Sequence, residues 1–572
     1  MAAKLIDLKL DRAQSIWSLG AVVAAFIWLQ AKVVGVYPTV FQDEWIYSMH
    51  SRLLPLSDSP IANYLYSWVY SSTNVCGLDF YSCNKQINVL FMIAFGVGVF
   101  LIARKFLGFY ASLAVGFLAV ISPISTYASF FMPESMYFAF SVFAVWALID
   151  LRDRPVLWRY AAAGAILGAT ALVKPHSLFL LPVAGLFILF ISKPEGVNFT
   201  KRLINSIVYL AGFLVFKFGF GLLAAGSAGL VWFGTSYEAT LKNVLTPAAL
   251  GSSLHAPTQA LAASQHLQAA AEASSGNVVQ LFFAQLGGHY LGLFAIAGVV
   301  LAPVIILLTD KVSTKLRDLA WFVVLSAVIF VPAFALFAAM AIVGGDPLQD
   351  RLVMRYYEFL IPLTFIAGTA GWNHMKESRL VVRNIAIAVS AIGLFVVGVT
   401  GVGAYLPLIW DGAVLQGLAS QRWLLAITSF VSAFILLANF GRKNVLVKTL
   451  LAVVIPISMV ASGVVATDTL RANALTPVAF DLAGQYARDN LSIDDKQHLV
   501  VVGQVRNELE AAKFWIDTPQ TGQFVATANS TVDLTTLPAG TKWVITMNGI
   551  QVSGPASIVQ GGDGWNIYKV NG

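Results

Sequence analysis

The sequence predicts a polytopic α-helical membrane protein of about 13 spans with a small C-terminal α/β extracytoplasmic domain. Three observations carry this. Hydrophobic residues make up 58% of the 572-residue chain and charged residues only 11%, against about 25% in soluble domains, and mean hydropathy is +0.75. Apolar runs of spanning length recur throughout 1–467. Over 468–572, charge and polarity return to soluble levels. A chain this poor in charge cannot cover a water-facing surface with it, which excludes soluble enzymes, nucleic-acid readers and disordered scaffolds. The net charge of +7 needs no nucleic-acid partner, because its placement follows the membrane.

A helix crossing hydrocarbon needs about 20 mostly apolar residues, since no backbone polar group can stay unpaired there. The candidates are 16–36, 87–103, 107–127, 134–150, 159–173, 176–192, 204–224, 289–309, 319–343, 356–371, 384–405, 422–440 and 445–466. Lysine and arginine alternate between the gaps. One set holds Lys4, Lys9 and Arg12, then Arg104 and Lys105, Arg152, Arg154 and Arg159, Lys193, Lys201 and Arg202, and continues so to Arg442, Lys443 and Lys448. The other gaps are longer and nearly free of basic residues. The positive-inside rule therefore puts the N-terminus in the cytoplasm of a bacterial inner (plasma) membrane and the C-terminus outside, periplasmic or extracellular. The first span follows a basic stretch with no small-residue cleavage site and reads as an uncleaved anchor.

Two outer loops are long, 37–86 and 225–288. The second contains an Ala/Gln-rich stretch, 257–275, which reads as a surface helix or a lid. In the outer domain, 476–490 and 506–516 read as helices, 498–503 as a buried strand, and 523–527, 542–547 and 564–569 as further strands. Cys76 and Cys83 fall in the first outer loop with six residues between them. In an oxidising compartment they predict a disulfide; the alternative is two unpaired thiols.

The few charges of the outer loops cluster at span ends. Asp43 and Glu44 begin a short helical pattern, Trp45, Ile46, Met49 and Leu53. Asp43 is either the N-cap of that helix, with Glu44 a favourable first-turn acid, or half of a carboxylate pair placed to accept a proton from an acceptor hydroxyl. Glu134, after Pro133, opens the fourth span as a dipole partner or as a second acid facing Asp43, a metal ligand or a hydrogen-bond acceptor for substrate. Lys174-Pro175-His176 lies between two short spans, and Arg351 and Arg355-Tyr356-Tyr357 open the tenth. Lysines at such positions can simply snorkel. Together with Lys85 these cations suit a phosphate anchored in the outer leaflet.

These residues resemble a family. An Asp-Glu pair in the first outer loop, the run Gly168-Ala-Thr-Ala-Leu-Val-Lys174 followed by Leu-Leu-Pro182, and Arg355-Tyr-Tyr-Glu-Phe-Leu-Ile-Pro362 look like the GT-C superfamily of membrane glycosyltransferases. The similar branches are the protein O-mannosyltransferases and lipid A aminoarabinose transferases, over about 1–370. The resemblance implies a polyprenyl-monophosphate sugar as donor, a lipid, glycan or protein acceptor and inverting transfer of a hexosyl or pentosyl group. It makes Asp43 the general base and Lys174 and Arg355 donor-phosphate ligands, with Lys85, His176 and Tyr356 beside them. Glu134 matches an acidic position that in parts of the superfamily helps bind a divalent metal. No cofactor is otherwise implied. Two further classes remain open: a flippase or transporter of lipid-linked sugars, and a glycan polymerase or ligase using a polyprenyl-diphosphate donor.

Overall fold

The computed structural model describes residues 10–235, 278–309, 313–343, 348, 350–372, 374–375, 378–439 and 449–571. Among these residues, seven helices are long and apolar enough to cross a membrane: Arg12–Val33, Tyr64–Ala103, Phe199–Leu230, Val278–Thr309, Thr314–Val343, Leu380–Thr400 and Leu450–Ala474. Two bent pairs, Phe109–Ile121 with Pro123–Ser129 and Ala413–Ala419 with Arg422–Ala438, raise the number to nine. Helix length and composition thus do not reach the expected thirteen. The difference lies in short helices. Glu134–Asp150 and Leu157–Val173 have 17 residues each and Leu360–Trp372 has 13. At 1.5 Å per residue these are roughly 20–26 Å long, under the ~30 Å of a hydrocarbon core. The expected surface helix at 257–275 lies outside the described residues.

The long helices keep apolar side chains on the outside. Ile16, Trp17, Leu19 and Ile27 of the first helix are exposed, as are Val381, Ile385 and Ile392 of Leu380–Thr400. In water such a surface would aggregate; in lipid it is the expected exterior. Inside, small residues set the closest approach. A methyl group on Gly164 would stand 1.9 Å from the Tyr209 carbonyl oxygen, and one on Gly168 would stand 2.7 Å from that of Phe213. Leu157–Val173 and Phe199–Ala225 therefore touch backbone to backbone, which explains Gly168 of the quoted run by packing.

The 37–86 loop is mostly helical. It holds Phe41–Arg52 and the first parts of the Tyr64–Ala103 run, Tyr64–Tyr70 and the 3₁₀ stretch Ser71–Asp79, which leads into Phe80–Ala103. Cys76 and Cys83 are joined as a disulfide at that entry. The last apolar helix runs on to Ala474, past the expected domain boundary at 467, with Ala466, Leu470 and Ala474 keeping one buried stripe at i, i+4 spacing.

Beyond it stands a five-stranded mixed sheet. Its strands are β1 (Leu499–Gly503), β2 (Gly522–Val525), β4 (Trp543–Met547), β6 (Ala556–Gly562) and β7 (Trp565–Val570), in the order β2-β1-β4-β7-β6. β3 (Thr531–Asp533) and β5 (Gln551–Ser553) pair separately in parallel. β1 runs parallel to both of its neighbours and is buried throughout, as a central parallel strand should be. Val501, Ile545 and Ile567 pack under helices Ala479–Asn490 and Arg506–Ile516, and Val500, Val502 and Val544 fill the opposite face. β3, β5 and β6 were not expected: β3 and β5 are three residues each, and β6 is almost wholly exposed and lacks buried alternation.

Candidate active site

Three chain segments meet around one carboxylate, and a fourth joins them through Arg355. Glu134 opens helix Glu134–Asp150 and is fully buried. Its Oε1 accepts a hydrogen bond from the Lys174 ammonium, and Arg355 Nε lies 3.7 Å from the same oxygen. Lys174 and Arg355 therefore converge on a single atom. Lys174 is placed by the residue after it: proline disfavours helical backbone in its predecessor, and Lys174 takes φ −148°, ψ 117°. The helix ends there, and the side chain leaves its last turn into the protein rather than running to the surface.

Arg355 sits in a 3₁₀ turn, Met354–Tyr356. The Arg355 N–H donates to the Asp411 carbonyl oxygen at 2.7 Å, and the Tyr137 hydroxyl donates to the Tyr356 carbonyl oxygen at 2.8 Å. Arg351 grips the Asp411 carboxylate with two bonds, 2.7 and 2.9 Å; a planar fork on a carboxylate is a rigid pairing. So Arg351 braces the turn, and Arg355 is left for the cluster. The His176 ring stacks on Tyr356 at 4.0 Å between centroids, and the Lys174 ammonium lies 4.6 Å from the Tyr356 ring centroid. Tyr356 is a wall shared by both cations.

Asp43 and Glu44 are adjacent in sequence and opposed in role. The helix begins at Phe41, not at Glu44, and its N-cap is Val40 with no side-chain cap bond. Asp43 is therefore not an N-cap. Its carboxylate is 36% exposed and accepts from Arg355 Nη2 at 3.0 Å. Glu44 is turned into the protein and fully buried. It accepts from the N–H groups of Thr39 and Val40 at 2.8 Å and of Phe131 at 2.9 Å, with the Tyr81 hydroxyl 3.1 Å away. Burial pushes the Glu44 carboxyl above its ordinary range, while the N–H donors and the Tyr81 hydroxyl pull it back. With no exposed oxygen, Glu44 anchors the loop before Asp43 to the loop before Glu134.

Lys85 is not brought into the cluster. It is buried in helix Phe80–Ala103, donates to the Val36 carbonyl oxygen at 2.6 Å and lies over the Tyr81 ring. Expected beside the donor phosphate, it lies instead as a brace at the start of the 37–86 loop. Among the described residues no three His, Cys, Asp or Glu side chains come together as a metal site. Glu134 is paired with two cations and Asp43 with one of them.

Other groups in this region were not read from the sequence. Lys32 is buried at the C-terminal end of the first long helix and donates to Ser125 Oγ at 2.8 Å; a lysine in the last turn of an apolar helix looks like a snorkelling one. Glu358 is buried, accepts from Val414 N–H at 2.9 Å and so ties the Arg355 segment to the helix after Asp411.

Residues 84–219 match the family model for dolichyl-phosphate-mannose-protein mannosyltransferases. That match spans about a quarter of the chain, and the family it names is one of the branches that the quoted residues resemble. The matched stretch holds Lys85, Glu134, Lys174 and His176, and the partners Asp43 and Arg355 come from outside it. Among solved structures, it is similar to ArnT from Cupriavidus metallidurans bound to undecaprenyl phosphate, with 12% identity over 97% of this chain and 98% of that one and a TM-score of 0.49. The apo form of ArnT gives 13% identity, the same shares of the two chains and a TM-score of 0.48. An oligosaccharyltransferase from Archaeoglobus fulgidus gives 12% identity, 94% and 70% coverage and 0.47. No curated protein matches the sequence.

Proposed function

We propose that this glycosyltransferase moves a sugar from a polyprenyl-monophosphate donor to an acceptor hydroxyl on the outer face of the membrane, with inversion. The observation that carries the reading is the meeting of Asp43, Glu134, Lys174 and Arg355 from four separate segments. The matched family is described by a lipid monophosphate sugar, which favours a monophosphate over a diphosphate donor. In this reading the alternating basic gaps keep the N-terminus cytoplasmic and put the cluster and the sheet domain outside.

The acceptor oxygen attacks the anomeric carbon while the bond from that carbon to the phosphate oxygen breaks. Negative charge grows on the leaving phosphate, where Lys174 and Arg355 are held ready beside low-dielectric surroundings. Asp43 takes the hydroxyl proton. Arg355 links the two ends of the reaction. It pairs with Asp43 now, and a phosphate arriving at Arg355 competes for the same guanidinium and leaves Asp43 free to act as a base. Glu134 holds both cations in place until then and fixes their spacing.

The test is to incubate purified protein with polyprenyl-monophosphate and polyprenyl-diphosphate sugars and to measure the lipid product. Release of polyprenyl monophosphate from the monophosphate sugar, lost in Asp43→Asn, is expected. Release only from the diphosphate sugar would make the protein a polymerase or ligase, and movement of intact donor between leaflets without release would make it a flippase.

A further inference from the structure

The helix that carries Asp43 is gripped from its other side. Successive residues of an α-helix turn by about 100°, so Trp45 and Arg52 share one face of Phe41–Arg52 and Asp43 lies roughly opposite. The Arg52 side chain is 3% exposed and donates twice to the Asp517 carboxylate, at 2.7 and 2.8 Å, with its guanidinium 3.5 Å from the Phe80 ring centroid. Asp517 ends helix Arg506–Ile516 in the left-handed region at φ +61°. Few L-residues occupy that region, Asp and Asn among them. Lys513 of the same helix lies 5.7 Å from the Trp45 ring centroid.

Phe514 and Trp515 complete the grip. Phe514 packs on Phe80, Tyr81 and Phe131, with centroids 5.2, 5.3 and 6.3 Å away. Trp515 packs on Tyr37 and Tyr81. Tyr81 and Phe131 are the same residues that reach Glu44. The sheet domain thus seats on every segment that fixes the Asp43 loop: the residues before the helix, the helix face behind Asp43 and the loop before Glu134.

We propose that the C-terminal domain is a positioning element for the transfer reaction, and that Arg52 and Asp517 are positioning residues that fix the rotation of helix Phe41–Arg52 and so the direction of the Asp43 carboxylate. The proposal rests on the reading of Asp43 as the base. Proximity carries its consequence, because a shift of about 1 Å at a reacting group can cost about 100-fold in rate.

The test uses the full chain in lipid nanodiscs and the variants Arg52→Ala, Arg52→Lys and Asp517→Asn. Asparagine keeps the left-handed backbone and removes the charge. Amide hydrogen exchange over 41–52 should quicken in Arg52→Ala and Asp517→Asn while the long apolar helices stay protected; unchanged exchange over 41–52 in both overturns the proposal, with or without an active assay. In the lipid-release assay the turnover of both variants should fall toward 100-fold at unchanged affinity for undecaprenyl phosphate, with partial recovery in Arg52→Lys. In an Asp43→Asn background, Arg52→Ala should add nothing. A full additional loss there would show that the pair acts through another group. If Asp43→Asn alone keeps its activity, the base assignment fails, and the exchange data still judge the grip.

Discussion

Arg355 and Asp43 stand 312 positions apart in the chain, and Arg355 Nη2 donates to Asp43 Oδ2 at 3.0 Å. The pair joins the residue proposed to hold the donor phosphate to the one proposed to take the acceptor proton. In the proposed reading, a phosphate arriving at Arg355 displaces this contact and frees the Asp43 carboxylate, so donor binds before the base acts.

Asp43→Asn should therefore bind donor and barely turn over. A general base contributes roughly 10²–10⁴-fold in rate, and the amide cannot accept the proton. Affinity for undecaprenyl phosphate should be kept or improved, because Arg355 loses a competing anion. Isothermal titration beside the lipid-release assay reads both quantities; near-normal turnover moves the base elsewhere.

Glu44→Gln should fail differently. The amide keeps one acceptor where the carboxylate offered two, and it leaves a buried backbone N–H unpaired at a cost of about 1–3 kcal/mol. Thermal unfolding should shift down, whereas Asp43→Asn should unfold near the parent temperature.

Lys174→Ala should weaken binding of undecaprenyl phosphate by ~1–3 kcal/mol if it removes a charge-assisted contact. It should also destabilise the fold, since Glu134 becomes a buried acid with one cation fewer; breaking a buried pair costs about 3–5 kcal/mol. Glu134→Gln in the same chain should recover part of that loss. Additive unfolding shifts in the double variant would mean the two groups do not depend on each other, and unchanged lipid affinity in both Lys174→Ala and Arg355→Ala would reject the phosphate site.

The sheet domain should carry its own pH dependence. Burial raises the Asp481 carboxyl from its ordinary 3.8 to about 6, against the pull of the Trp515 indole N–H and the Val478 N–H. An acid raised on folding binds its proton more tightly in the folded state, so it favours folding below the ordinary value, and that contribution is lost as pH rises through about 6. Unfolding of the domain should come at lower temperature at pH 7.5 than at pH 5, and Asp481→Asn should flatten the difference. Equal slopes in the two proteins would place the titrating group elsewhere.

Topology is open to direct measurement. In a Cys76→Ser/Cys83→Ser background, a single cysteine at exposed Gln560 and one at exposed Glu195 should label from opposite sides of the membrane. Without those replacements the protein should yield no free thiol until it is reduced. Labelling of both sites from one side would reverse the placement of the cluster.

Much of the site was legible because charge is scarce in this sequence. Asp43, Glu134, Lys174 and Arg355 stand out as polar residues at the ends of apolar runs, and a charge at a span end needs a reason. Their pairings were not legible, because Glu134 meets a lysine 40 positions away and Asp43 an arginine 312 positions away, and local periodicity does not reach that far. The division of labour between Asp43 and Glu44 turned on where one helix starts. A start at Phe41 rather than Glu44 swings Glu44 back onto the N–H groups of Thr39 and Val40, and no cap residue in the sequence marks that start. Lys85 and Lys174 are both lone cations near a span end, and only packing separates the one that bonds to the Val36 carbonyl from the one that joins the cluster.

The backbone contact at Gly164 and Gly168 gives the site a mechanical property. Helices Leu157–Val173 and Phe199–Ala225 have no side-chain cushion between them there, and Lys174 hangs from the end of the first. A single methyl at Gly164 would act as a wedge against the Tyr209 carbonyl oxygen, prying the two rods apart at a cost of about 1–3 kcal/mol and tilting the far tip that bears the ammonium. The alignment of a buried ammonium is thus set by the thinnest residue ten positions back along its own helix, like a lever whose fulcrum admits no shim.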